Sequence, residues 1–299
     1  MADAYAPYPL TDDGGLVSTT VTGSLGSTVA RHLPVRSSAR ATLFLHGAAG
    51  SWTTWTPVLQ AARDVGRDIP DPVLYDLPGW GEGMLSPSDH DIETVCDLVR
   101  SAALELGYTE WDVVGHSMGG FIALHLAATH PDEVRSVVMV SGTTWSVIES
   151  VGHPVRRFGV LPGFTSLWQV MRLLAALGAV GRALVRGMRT VHLLRLAVFP
   201  LFRHPFRVDG TVIDALAQEL RPMSFLAAAE FARDYDTSRW AGIECPVTAL
   251  KGDRDVFVRD SDLQLLRSAI PHAVTRIVED CGHFANVERP HAVLAAFTR

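Results

Sequence analysis

Four short apolar runs, ATLFLHG, PVLYD, WDVVGHS and RSVVMVSG, constrain this chain more than any other feature, because each has the length of a strand buried on both faces. Such strands need helices on both sides of their sheet. The intervening stretches supply them: near Thr54 to Val65, Ile92 to Leu106 and Met118 to Thr129, apolar residues recur at three- and four-residue spacing. Strands alternating with helices predict a doubly wound α/β domain with a mostly parallel central sheet. Ahead of it, GLVSTTVTGS and STVARHLPV flank Leu25-Gly26 and predict an antiparallel hairpin. The alternation stops near Trp145 and returns with CPVTALKGD, a helix near Ser261 to Ala269, VTRIVED and a closing helix after Arg289-Pro290. Between those points every pattern is helical. The expected organisation is therefore one core domain, residues 1-144 and 236-299, with a helical insertion at 145-235.

Composition narrows the class of protein. Hydrophobic residues make up 47% of the 299 and charged residues 19%, which excludes a disordered chain and provides for a large core. Cys96, Cys245 and Cys281 are odd in number and widely spaced, so they form neither a disulfide framework nor a CxxC metal motif. A reducing, cytoplasmic setting is expected. The start of the chain, MADAYAPYPLTDDGG, carries acids where a secretory signal carries bases, and no window of eighteen uncharged apolar residues predicts a membrane span.

The net charge of −6 disfavours nucleic acid as a partner, but it conceals an asymmetry. From Ser150 to Val208 there are nine arginines and three histidines and no Asp or Glu. Within this island, SLWQVMRLLAALGAVGRALVRGM read as one helix puts Arg172, Arg182, Arg186 and Arg189 within an arc of about 100°, opposite Leu, Ala, Val, Trp and Met. Such a basic amphipathic helix, with a break near Gly178 or Gly181, packs its apolar face on the main domain or contacts an anionic membrane peripherally.

The sharpest chemical signal is Gly115-His116-Ser117-Met118-Gly119-Gly120, directly after an apolar strand and directly before a helix. A serine at the apex of such a turn has strained backbone angles, and small neighbours let strand and helix approach, exposing its hydroxyl above the sheet. Ser117 is the candidate nucleophile. The helix that follows turns its N-terminal dipole and free N-H groups, Met118 N-H first, toward charge developing on an attacked carbonyl. A G-x-S-x-G string alone is weak, but partners follow in the order this arrangement uses. Asp255 lies in GDRD after one predicted strand and His283 in CGHF after another. Loops at the C-terminal ends of parallel strands share one edge of the sheet, so the three side chains can meet. His283 then serves as general base, and Asp255 fixes its tautomer.

Through LFLHGAAGS, DLPGWGEG, GHSMGG, GDRDVFV and DCGHFANVERP, in order and over nearly its whole length, the chain resembles the α/β-hydrolase superfamily, in particular its serine esterase and lipase-like members. The resemblance implies an oxyanion donor on Ala48, the residue after the His-Gly pair, beside Met118. It implies that the acid is Asp255 rather than Asp253, which is expected to cap the turn or the next helix. It gives the Asp76 to Gly81 loop a part in shaping the site's floor without chemistry. Members with an epoxide hydrolase or dehalogenase activity use aspartate at the elbow, where this chain has Ser117. Acyl chemistry is thus expected, with a C-C bond hydrolase of the meta-cleavage type and a non-catalytic ligand receptor as alternatives.

His46 and His116 are expected to be structural, Cys281 an inert strand-end thiol. His90, His125 and His130 show no ligand spacing, and neither a metal nor another cofactor is expected. The insertion would cover the nucleophile as a lid. Trp145, Phe158, Phe164, Leu167, Trp168, Phe199, Phe202 and Phe206 supply apolar surface for a pocket, with Trp145 and Phe284 expected against the substrate. The substrate expected is a small hydrophobic ester or lactone, uncharged or anionic, since no acid in the island would bind an amine.

Overall fold

The structure, a computed structural model, describes residues 4–11, 15–24, 26–84, 91–152, 157–190 and 199–297. Leu25 and His90 lie outside them. Eight strands form one sheet: β1 (Val17–Gly23), β2 (Gly26–His32), β3 (Arg40–Leu45), β4 (Pro72–Asp76), β5 (Glu110–His116), β6 (Val134–Val140), β7 (Val247–Gly252) and β8 (Val274–Val278). Their spatial order is β1-β2-β4-β3-β5-β6-β7-β8. β1 and β2 form the expected hairpin, β2 joins β4 antiparallel, and every pairing from β4 to β8 is parallel.

Successive side chains of a strand point to opposite faces, and the central strands feed two cores in this way. Leu43, Leu45, Val113, Val137 and Met139 pack with α2 (Ile92–Glu105) and α3 (Met118–Thr129), against Val95, Val99, Phe121 and Ile122. Phe44, Val114, Val138 and Val140 pack on the other face with α1 (Thr56–Asp64) and the C-terminal helices α11 (Ala285–Glu288) and α12 (Pro290–Leu294), through Val58, Ala285 and Val293. β7 is buried at every residue, whereas β8, at the edge, leaves Val274 and Ile277 about half exposed. The helix α10 (Asp260–Ala269) crosses from β7 to β8.

Between β6 and β7 the described residues are helical: α4 (Trp145–Gly152), α5 (Arg157–Val160), α6 (Pro162–Ala176), α7 (Ala179–Thr190), α8 (Gly210–Glu219) and α9 (Pro222–Phe231). Here one expectation is corrected. The arginine-bearing segment does break at Gly178, one of the two places expected, where φ is +53°, but the helices on either side are bent by 119° and the arc read for one continuous helix does not hold. Arg172 belongs to α6, and Arg182, Arg186 and Arg189 belong to α7, so the four do not form one stripe. Gly181 allows the close packing at this corner, since a Cβ there would lie 2.2 Å from the Leu174 carbonyl oxygen. Among the described residues no single helix is long and apolar enough to cross a membrane.

Candidate active site

Ser117 sits between the end of β5 and the first residue of α3 with φ +51° and ψ −116°, a conformation that L-residues adopt at a cost of about 1–3 kcal/mol. Its surroundings fix it there. The Ser117 N-H donates to the Val140 carbonyl at 3.0 Å, and its own carbonyl accepts from Gly120 N-H at 3.0 Å and Thr143 N-H at 3.2 Å. Glycines make the turn possible by close approach: a Cβ on Gly115 would lie 2.1 Å from the Gly119 carbonyl oxygen, and one on Gly119 would lie 2.1 Å from that of Leu45. The small neighbours expected around the serine are thus sterically required.

The loop after β3 approaches from one side. A Cβ on Gly47 would be 2.8 Å from the Ser117 Cβ, so Gly47 brings Ala48 and Ala49 against the serine. His46 holds this loop from behind: its Nε2 accepts from Leu77 N-H at 3.0 Å and its Nδ1 reaches the Gly47 carbonyl at 2.7 Å. Burial pushes its pKa down, which keeps the ring neutral and suits one acceptor and one donor nitrogen. Asp76 is buried and accepts from Arg31 Nη1, Trp52 N-H and Glu82 N-H at 2.7–3.1 Å. The Asp76 to Gly81 loop does not form the cavity floor as expected, and none of its residues lines the cavity. It anchors the helices between β6 and β7 instead: Arg221 donates to the Gly79 and Gly81 carbonyls, Ser224 to Gly79, and Gly81 N-H donates to Glu219.

From the other side come the loops after β7 and β8. The Asp255 Oδ1 accepts from His283 Nδ1 at 2.9 Å, from Phe257 N-H at 2.8 Å and from Val258 N-H at 3.1 Å. Asp253 does not cap the following helix but accepts from Cys281 N-H at 3.0 Å, tying the two loops together. The His283 ring meets Phe257 edge-on at 4.7 Å and lies 4.9 Å from the His116 ring. His116 is structural in a specific way: its Nε2 contacts the His283 carbonyl at 3.0 Å, and burial together with the adjacent His283 pushes its pKa well down. Cys281 is fully buried and its thiol pKa is raised by burial, which fits an inert residue.

Ser117 and His283 both line one cavity of about 610 Å³, with Ala48, Met118 and Phe284 beside them. Residues of α6, α8 and α9, among them Phe164, Leu167, Leu216 and Phe225, line the rest of it. Among the described residues its polar side chains are those of Ser117, Thr143, Ser166 and His283, and no charged one is present. Trp145 is corrected: it does not line this cavity but packs edge-on against Trp240 at 4.7 Å, in the core under α3. Phe202 stacks on Phe284, Trp168 lies under the Arg172 guanidinium, Phe158 and Phe206 are exposed, and the Phe199 side chain lies outside the described residues. His125 is bonded to Glu93 and Tyr235, and His130 to Thr129.

One buried residue escaped the sequence reading. Glu288, without solvent exposure, accepts from Gly282 N-H at 2.7 Å, Arg203 N-H at 2.6 Å and the Tyr5 hydroxyl. The His283 N-H meanwhile donates to Leu201 at 2.8 Å. Glu288 thus joins the histidine loop, the middle of the stretch between β6 and β7, and the N-terminal segment. The available signal was a glutamate in the short apolar stretch FANVE just before Arg-Pro.

Comparison with known proteins agrees with this architecture. A relative in Caulobacter sp. (strain K31), named "Putative carbamate hydrolase RutD", is 29% identical over 269 residues, covering 87% of this chain and 90% of its own. Among solved structures, a hydrolase from Pseudomonas aeruginosa PA01 superposes with a TM-score of 0.71 at 19% identity, covering 95% of this chain and 97% of that one. Est816, an N-acyl homoserine lactone degrading enzyme, gives 0.69 at 20% identity, covering 94% and 100%. Residues 42–296 match the alpha/beta hydrolase family, and with the sheet order, the elbow and the strand-end loops above, the chain belongs to that family.

Proposed function

We propose that this hydrolase cleaves a carboxylic ester or lactone with a sizeable apolar part, through an acyl-enzyme on Ser117. The observation that carries the reading is the placement of a strained serine at a helix N-terminus in the same cavity as a histidine bonded to a buried carboxylate. Asp255 accepts from His283 Nδ1, which leaves Nε2 unprotonated and able to take a proton. In the proposed reaction the Ser117 Oγ attacks the carbonyl carbon while His283 Nε2 takes the hydroxyl proton. The oxyanion is held by the N-H groups of Ala48 and Met118, the latter having no acceptor within its own helix. Collapse breaks the bond to the leaving oxygen, which takes the proton from His283. Water, deprotonated by the same nitrogen, then attacks the acyl-enzyme, and the acid departs with Ser117 restored.

The lining supports this substrate class. A cavity of this size, with no charged side chain among its described lining residues, favours an uncharged, apolar acyl or alcohol group. The helices between β6 and β7 would act as the lid that supplies most of this surface. A carbamate ester presents the same kind of carbonyl carbon, and the name of the Caulobacter relative favours testing it beside the esters. Turnover of p-nitrophenyl esters of increasing chain length, an aryl carbamate and an acylated lactone tests the reading. Steady release that improves with chain length is expected. Stoichiometric binding without turnover would overturn it in favour of a receptor, and cleavage restricted to a vinylogous diketone would favour C-C bond hydrolysis.

A further inference from the structure

The corner between α6 and α7 turns apolar side chains outward. Val170, Leu173 and Leu177 on one side and Val180 and Leu184 on the other are 40–60% exposed. Spacings of three and four residues put each set on one face of its helix. The pair has the length and apolar content of a membrane span, yet the 119° bend prevents it from crossing as a rod. Such a corner can lie in the plane of an interface. Its charge has one sign: residues 162–190 hold four arginines and no Asp or Glu, and Arg172 is exposed.

The corner is also continuous with the cavity. Val170 is 49% exposed and at the same time lines the cavity, as do Pro162, Ser166 and Leu174 along the same stripe of α6. The edge of the cavity therefore opens beside the apolar surface. We infer that the α6–α7 corner docks on anionic lipid, so that an apolar substrate enters the cavity from the bilayer side. The inference builds on the hydrolase reading by naming where its substrate comes from. A second copy of this chain is the less favoured occupant, because a twofold interface would bring together two segments that each hold four arginines and no acid.

The test needs no substrate and so fails or succeeds separately from the reaction. Cosedimentation is measured with phosphatidylcholine vesicles with and without phosphatidylglycerol, for the wild type and for Leu177→Asp/Val180→Asp. Neither residue lines the cavity. The wild type should bind the anionic vesicles, and more weakly as salt shortens the screening length to about 10 Å at 0.1 M. The double variant should lose about tenfold or more in partitioning. Its turnover of a soluble short-chain ester, or its melting curve should the wild type lack esterase activity, should match the wild type and show that the fold is retained. No binding by the wild type at low salt, or equal binding by a folded variant, overturns the inference. A concentration-dependent dimer that the variant abolishes assigns the corner to a second copy and overturns it too.

Discussion

Replacing Glu288 by Gln tests whether this buried carboxylate organises the site. The wild-type oxygens serve two sides: Oε1 accepts from Arg203 N-H and the Tyr5 hydroxyl, and Oε2 accepts from Gly282 N-H and the Cys281 thiol. A glutamine has one oxygen. Whichever way it turns, its NH2 faces a buried backbone N-H, of Gly282 or of Arg203, that has lost its acceptor. An unmet buried donor costs about 1–3 kcal/mol. In a chain this long that corresponds to a fall in Tm of about 2–6 °C. Because Gly282 adjoins His283, kcat should fall with it while KM changes little. Burial, which outweighs the donated hydrogen bonds, raises the Glu288 pKa, so the folded state holds this proton more tightly than the unfolded chain. The group's contribution to stability is therefore fully present below the ordinary glutamate range and is lost as pH rises through the raised value. The Tm gap between wild type and Glu288→Gln should narrow in the same direction. Differential scanning fluorimetry across pH, with kcat on a soluble ester, measures all three effects. An unchanged Tm, or a gap that widens as pH rises, would refute the reasoning.

Further expectations concern neighbouring positions. Asp255→Asn should lower kcat/KM by about 10³-fold or more, because it no longer fixes the His283 tautomer, whereas Asp253→Asn, at a side chain that bonds Cys281 N-H and not the ring, should act mainly on stability; steady-state kinetics showing the reverse order would move the acid. Gly119→Ala should destabilise by about 2–3 kcal/mol or more, since its Cβ would meet the backbone of β3 rather than a yielding side chain; urea denaturation reads this, and a neutral result would contradict the close approach. Leu174→Trp, which narrows the cavity, should shift preference toward shorter acyl chains; an unchanged chain-length profile would show that the acyl group lies elsewhere.

The sheet was legible because its strands are unusually pure signals. PVLYD and VTALKG are buried at every residue, and such runs between amphipathic helices leave little freedom of fold. The elbow was legible because its glycines answer a steric demand that can be read locally. Trp145 was not, since nothing in its own sequence shows that Trp240, ninety-five residues away, will cover it. The arginine arc failed for a related reason: helical periodicity presupposes continuity, and the positive φ at Gly178 ended the helix. Glu288 stayed hidden because two of its donors come from distant segments, and only the fold brings Tyr5 and Arg203 to the carboxylate that also accepts from nearby Gly282.

The central claim, that Ser117 forms an acyl-enzyme, is tested most directly by trapping it. Protein quenched in acid during turnover of a long-chain p-nitrophenyl ester is analysed as intact mass and as peptides, alongside Ser117→Ala. The wild type should gain the mass of one acyl group on the peptide holding GHSMGG, and the variant should gain none and release no p-nitrophenol above background. An adduct on another residue, or steady turnover by Ser117→Ala, would contradict the assignment.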